Sequence, residues 1–528
     1  MRAAILSRRF WFESAPLILL CLLPVVIYLP SLGAPFERDE GVYATIAQGV
    51  LDGRVPYRDL FDNKPPLVFG WYAFSFLLFG EDVIAPRILA AAALSLTTLS
   101  IFAQARMMFP RGVAYLAAGL FALSTGLPFV SLHANTEVYM LLPLVTSLVP
   151  FTAGMRTGKL RWFLLAGALV GLAAMTKQVA IWNLLLLAVL PTVWRWDPAP
   201  ALARRLAPAA SLLAGAFATI GLVAVPFAAA GALDDLIYAN LSYNWLYMGF
   251  LTYGERLVNM LQGVSYFLLV AAPLIVGALL GVGLLIKRRR GDADYIVLLW
   301  ALGSLAGVAS GGRFFPHYFL HLLPAMALLT ALVIYEGLRR RPVSLVPKRV
   351  LVPALALVAV TLAANLVLYV APAPAEERVA ENVFQQKQWE SSSKALAQYI
   401  AERTSPDDTI FNFGRESQIY FYADRRPAVP YFYDWAYWYD VETLPETVEA
   451  LRQAKPVYVI DSAQAPLFKD YPRYHPPEFR AFLDESYEYI GRIYFADVYR
   501  LKRTPLKLDL PVAQDNPLEQ PYRREQRY

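Results

Sequence analysis

Only one cysteine occurs in the 528 residues, Cys21, and it falls inside an apolar run. No disulfide framework can form, so any exported domain must be stable without one. Charge is scarce too: Asp, Glu, Lys and Arg make up 17% of the chain, against about 25% in soluble domains. There are four histidines, and no Cys/His spacing of a zinc site appears. A Walker loop, a Gly-rich dinucleotide fingerprint after a strand and a Gly-x-Ser-x-Gly elbow are also missing. Nothing therefore points to nucleotide-driven chemistry, and a net charge of +6 gives no reason to expect a nucleic-acid partner.

What the chain has is hydrophobicity, at 57% of residues, gathered into runs near the length that crosses a roughly 30 Å hydrocarbon core. Runs at 15–32, 86–105, 112–131, 137–155, 161–176, 178–194, 207–230, 262–286, 293–310, 317–336 and 350–370 predict about eleven spans. Basic residues crowd alternate connections: Arg8-Arg9, Arg106 and Arg111, Arg156 to Arg161, Arg204-Arg205, Lys287 to Arg290, and Arg339 to Arg341. The positive-inside rule then puts the N-terminus in the cytoplasm of a plasma (inner) membrane protein and everything after residue 370 outside. The first run is longer than a signal-peptide core and reads as a retained anchor.

From residue 376 the composition becomes that of a soluble domain. Helices are expected at 389–403 and 444–453, strands at 409–413 and 457–460, and closing strands between 487 and 499. The expected fold is a polytopic α-helical membrane protein with a C-terminal extracytoplasmic α/β domain. Its parts are a membrane catalytic domain over 1–375 with a first outer loop at 33–85, the α/β domain over 376–503, and a loosely ordered tail over 504–528.

Almost no ionisable residue falls at the middle of a run, which disfavours an ion-coupled transporter or flippase, since those need midplane charges. Polar residues gather at the outer ends instead: Arg38, Asp39, Glu40 and Lys64 in the first loop, His133, Asn135 and Glu137 in the second, Lys177 in the third, and Gly311 to His321 near the tenth run. The first loop is the richest. It runs Phe36-Glu37-Arg38-Asp39-Glu40-Gly41-Val42-Tyr43 and reaches Asp62-Asn63-Lys64-Pro65-Pro66.

An acid pair directly after a span, followed by Lys-Pro-Pro, resembles the GT-C glycosyltransferases, most closely the protein O-mannosyltransferase-like branch that includes the lipid A aminoarabinose transferases. The resemblance continues through Asn135-Thr136-Glu137, Thr176-Lys177-Gln178 and Gly312-Arg313-Phe314-Phe315-Pro316-His317-Tyr318. It implies a polyprenyl-phosphate sugar donor, a lipid, glycan or protein acceptor at the outer face of the membrane, and inversion at the anomeric carbon. It leaves the metal question open, because some members use a divalent ion and others none.

Chemistry supports such a reading from the residues themselves. An inverting displacement needs a base for the acceptor hydroxyl, and Asp39 is the candidate, with Glu40 as a supporting acid. The departing phosphate needs cations in place beforehand. Lys64 matches the family's Lys-Pro-Pro lysine, Arg313 is second, and Arg38 and His317 follow. Where the aminoarabinose branch often has an arginine three residues after the acidic Asp, this chain has Val42.

Glu137, Lys177, Tyr43, Trp435 and Trp438 are candidate substrate contacts; the structural alternatives are Glu137 as a helix cap and Trp435 and Trp438 as rings packing the outer domain onto the bundle, while Lys64 alone could serve as a cation reaching the headgroups. His317 and His321, four apart, are expected on one helix face with His133 at the same level. Hydrogen bonding is the simpler role for all three than holding a metal. The rings between Tyr238 and Tyr253 suit either an interfacial belt against membrane lipids or a polyprenyl groove. A non-catalytic assembly scaffold is the remaining alternative function, and it would make Asp39 dispensable.

Overall fold

The structure, a computed structural model, describes residues 8–127, 130, 133–194, 202–288, 291–339, 387–440, 442–462 and 477–502. The expected span at 350–370, the boundary near 376 and the tail from 504 lie outside the described residues. Two compact units emerge. One comprises Met1–Gly33, Lys64–Pro226 and Leu251–Ala373, the other Ala34–Asn63, Phe227–Phe250 and Pro374–Tyr528.

The first unit is a helical bundle. Among the described residues seven helical stretches are long and apolar enough to cross a membrane: Ser14–Ser31, Ile84–Met108, Thr136–Thr157, Leu202–Ala229, Tyr253–Lys287, Ala293–Ser310 and Pro316–Leu338. The expected spans at 112–131, 161–176 and 178–194 are shorter apolar helices, Arg111–Ser124, Leu160–Ala174 and Gln178–Val193. A further apolar helix, Leu67–Phe79, lies inside the segment expected to be a loop. Its 13 residues rise about 20 Å, too little to cross alone. Pro273 breaks the helical ladder of Tyr253–Arg288, and Ala271 leaves helical geometry there (φ −130°).

The helices Leu160–Ala174 and Leu202–Ala229 meet backbone to backbone. A Cβ at Gly171 would come 2.7 Å from the carbonyl of Ala216, and one at Gly167 would run into the carbonyl of Leu212. Gly167-x-x-x-Gly171 thus supplies the small-residue seam by which membrane helices approach closely.

In the second unit five strands order β2-β1-β3-β5-β4, with β1 Thr409–Phe413, β2 Arg426–Pro427, β3 Tyr458–Asp461, β4 Tyr487–Ile493 and β5 Ala496–Leu501. β1 runs parallel to β2 and β3, while β5 is antiparallel to β3 and β4. The helices Lys387–Arg403 and Thr443–Ala454 match the expected ones, and β3 is fully buried. The helix Arg38–Leu51 packs on the short helix Gln418–Ala423. Gly41 permits the approach: a Cβ there would lie 2.5 Å from the Gln418 nitrogen.

Gly171→Leu should therefore lower the melting temperature of the detergent-solubilised protein, by a destabilisation of about 1–3 kcal/mol. Gly221→Leu, on the helix Leu202–Ala229 where nothing stands within 4 Å of the position a Cβ would take, should leave it unchanged. Equal melting of the two variants would refute the seam.

Candidate functional site

In the first unit the ends of several helices converge through hydrogen bonds. The backbone N–H of Leu67 donates to the Met175 carbonyl at 3.0 Å, and the Trp71 indole to Thr176 Oγ1 at 3.2 Å. The hydroxyls of Tyr72 and Tyr28 donate to the carbonyls of Ala134 and His133. Lys64-Pro65-Pro66, which opens the helix Leu67–Phe79, is thereby set beside the turn that carries Lys177. Lys64 is half-buried.

At the centre of this end is Glu137, in the first turn of the helix Thr136–Thr157 and 1% exposed. Its carboxylate accepts a hydrogen bond from the Lys177 ammonium and another from Thr136 Oγ1 at 2.9 Å. His317 Nε2 lies 3.8 Å away, and the Lys177 ammonium stands 4.0 Å above the Tyr318 ring. A charge so deeply buried persists only with a counterion, so Glu137 and Lys177 form one group. Treating the two as separate substrate contacts, as the sequence invites, misses this pair. The signal for it is that each is an ionisable residue at a span end where few others occur.

Arg313, 8% exposed, lies between Gly312 (φ 64°) and Phe314 (φ 50°). Left-handed geometry at a phenylalanine is strained, and strain of this kind gathers at functional loops. The loop is held by Asn259, whose amide donates to the Gly312 carbonyl at 3.3 Å.

The histidines do not share a face. Residues 316–322 form a 3₁₀ helix, in which side chains four apart diverge by about 120°. His321 is buried and pairs with Asn183 Oδ1 at 2.9 Å, whereas His317 stacks against Phe315 and faces Glu137. The backbone carbonyl of His133 receives Tyr28. Among the described residues no three His, Cys, Asp or Glu gather as metal ligands.

In the second unit Asp39 occupies the first turn of the helix Arg38–Leu51 and is half-buried. Glu37 and Glu40 form a capping box, with the Glu37 N–H donating to Glu40 Oε2 at 3.2 Å. Glu40, fully buried, is thus engaged in starting the helix. The spacing Glu37-x-x-Glu40 was the available signal. Tyr43 is sealed in the core at 1% exposure, which removes it from the surface where a substrate contact was expected. Arg38 directs both Nε (2.7 Å) and Nη2 (2.6 Å) to Glu416 Oε1, a carboxylate that no local sequence pattern marks.

Nearby, the Tyr433 hydroxyl donates to Asp62 Oδ1 at 2.7 Å. Burial holds the Tyr433 phenol well above its ordinary pKa, and the charges of Asp62 and Asp39 add to this. Burial also pushes the Asp434 carboxyl up, opposed by Arg415 and Arg38. Trp435 is half-buried, with the Arg415 guanidinium 4.8 Å above its ring and Tyr439 at 5.2 Å. The Trp438 side chain lies outside the described part of the structure.

Residues 63–201 match the dolichyl-phosphate-mannose-protein mannosyltransferase family. The structure is similar to that of ArnT from Cupriavidus metallidurans bound to undecaprenyl phosphate, with a TM-score of 0.57 and 17% identity over 92% of this chain and 98% of that one. ArnT in the apo state gives 0.59 and 14% over the same shares. The chain has an ArnT-like fold. The oligosaccharyltransferase of Archaeoglobus fulgidus, tethered with an acceptor peptide, matches with a TM-score of 0.51 and 13% identity over 97% and 76% of the two chains. No curated protein matches the sequence at a significant level. The family match covers the stretch from Lys-Pro-Pro through Lys177, and the structural matches, all below 20% identity, show a shared fold.

Breaking the buried pair in this bundle has a defined outcome. Lys177→Met should destabilise the protein by about 3–5 kcal/mol by leaving the Glu137 charge alone. The double variant Lys177→Met/Glu137→Gln should recover most of that loss, as thermal unfolding would measure. Additive losses in the double variant would show that the two groups are independent.

Proposed function

We propose that the protein transfers a sugar from a polyprenyl-phosphate donor to an acceptor outside the cytoplasm, with inversion, and that Asp39 is the general base. The observation that carries this reading is a GT-C fold whose first loop offers a half-buried carboxylate on the opening turn of a capped helix. The donor class is supported by ArnT, whose structure holds undecaprenyl phosphate, and by the Archaeoglobus fulgidus enzyme AglB, whose structure with an inhibitory peptide holds a dolichol-phosphate.

In the transfer, the acceptor oxygen bonds to the anomeric carbon as the bond from that carbon to the phosphate oxygen breaks. The acceptor proton passes to Asp39, and polyprenyl phosphate departs with the bonding electrons. One displacement inverts the centre. Lys64 and Arg313 are assigned to the charge that grows on the phosphate, where contacts to cations are the strong kind. His317 is a lesser candidate because it faces Glu137. Glu137 acts by holding Lys177. The acceptor is a lipid, glycan or protein. The orientation proposed is an N-terminus in the cytoplasm of the inner membrane and a C-terminal domain outside.

The deciding experiment supplies a panel of radiolabelled undecaprenyl-phosphate hexoses and pentoses to membranes with and without the protein. Protein-dependent release of sugar from one donor is the expected result, and its absence across the panel would sink the reading. With that donor, Asp39→Asn should reduce turnover about 10²–10⁴-fold, the usual scale for losing a general base. Lys64→Ala should raise the donor KM and lower the rate more than Arg313→Ala does. Reporters fused near Lys287 should be active only in the cytoplasm, and reporters fused after Leu501 only outside.

A further inference from the structure

We propose that Glu416 is a positioning residue for Asp39 and acts through Arg38, an inference that rests on the reading of Asp39 as the base. Arg38 and Asp39 are the first two residues of their helix, so what fixes Arg38 fixes the peptide that carries Asp39. Arg38 is gripped at both ends. Its guanidinium donates through Nε and Nη2 to Glu416 Oε1, and its carbonyl accepts from Ser417 Oγ at 3.1 Å. The residues just before the helix are held by the same stretch: the Phe36 N–H donates to the Tyr422 hydroxyl at 2.6 Å, and the Phe36 ring meets Phe421 edge-on at 5.0 Å. At Gly41, a turn further on, the helix touches the backbone of Gln418.

Glu416 is itself rigid. Its second oxygen accepts from Gln418 Nε2 at 2.6 Å and from Ser393 Oγ at 3.3 Å, and its side chain is 1% exposed. An exposed ion pair contributes about 0–1 kcal/mol and would not define a geometry. A buried carboxylate with several donors and one cation does, because losing the cation leaves an uncompensated charge. A base misplaced by about 1 Å loses about 10²-fold in rate, so the device matters to a reaction that Glu416 itself never touches.

The test is a double-mutant cycle on the purified full chain, using the panel donor that the wild type consumes fastest. Glu416→Gln should lower kcat about tenfold with the donor KM changed less than twofold. In the Arg38→Gln background the same substitution should cost nothing further. Amide hydrogen exchange over residues 38–45 should quicken about tenfold in Glu416→Gln, while the helix Lys387–Arg403 exchanges as in the wild type. Wild-type turnover, multiplicative losses across the cycle, or exchange that quickens in Lys387–Arg403 instead would each overturn the proposal. If Glu416→Gln does not fold, Arg38→Lys keeps a cation beside the carboxylate but not the two-point grip; a several-fold fall in kcat with faster exchange over 38–45 supports the proposal, and wild-type values overturn it. Failure of the base reading shows separately, as full turnover in Asp39→Asn with Glu416 intact.

Discussion

Hydrocarbon offers no hydrogen bonds, so every charge in a membrane bundle must be moved to an end or paired. That constraint arranges the first unit. Its long helices carry almost no ionisable residues along their middles, and its polar groups collect where the chain turns. Glu137, one residue into a long helix, is buried deeply enough to need a cation, and Lys177 from the next such turn supplies it. The same need for partners closes the end of the bundle: the Arg87 guanidinium is fully buried and donates to the Ser31 carbonyl at 2.9 Å, and Tyr139 donates to the Pro86 carbonyl at 2.6 Å. Such bonds fix where loops leave the helices, and a polar site can only be built on loops fixed in that way.

Seven of the expected spans correspond to helices long enough to cross among the described residues, because burial in lipid leaves a signature that depends on composition alone. Leu67–Phe79 was not legible, for a physical reason: Pro65-Pro66 and Gly80 bound an apolar stretch too short for the length criterion that finds spans. The histidine pair illustrates a different limit. A spacing of four implies a shared face only in an α-helix, and Pro316 opens a tighter 3₁₀ segment that separates His317 from His321. β1 and β3 were readable from their buried runs and a closing pair was expected between 487 and 499, whereas β2 and the strand order were not, since β1 pairs in parallel with both β2 and β3, which no local pattern encodes.

The candidate site divides in the same way. Asp39, Lys64 and Arg313 stood out because charged residues are rare near spans and because their motifs resemble those of a known superfamily. Glu416 did not stand out, although it holds Arg38, because the pair is 378 residues apart in sequence and an acidic residue in a soluble domain is commonplace. Glu40 carries two signals. Its neighbour Asp39 lent it a chemical role, whereas Glu37 three residues earlier gives it a capping one.

The aromatic segment from Tyr238 to Phe250 follows from its helical phase. Tyr243 and Tyr247 are buried against Phe61, Trp435 and Tyr439, with Phe61 and Tyr243 edge-on at 5.0 Å and Tyr247 and Tyr439 likewise at 5.0 Å. Leu233, Ile237, Leu241 and Trp245, each four residues after the last, form an exposed apolar stripe, with Trp245 at 75% exposure. A stripe of this kind on a short helical stretch has the amphipathic pattern of an element lying in a membrane interface, where an indole is at home. The inward rings are already engaged with one another and cannot also line a groove for a lipid tail without first separating. The interfacial belt is thus the reading that the packing favours. Several of the rings that the sequence offered for ligands instead hold the loop carrying Phe61 to the segment 431–439, the run that also supplies Tyr433 to Asp62.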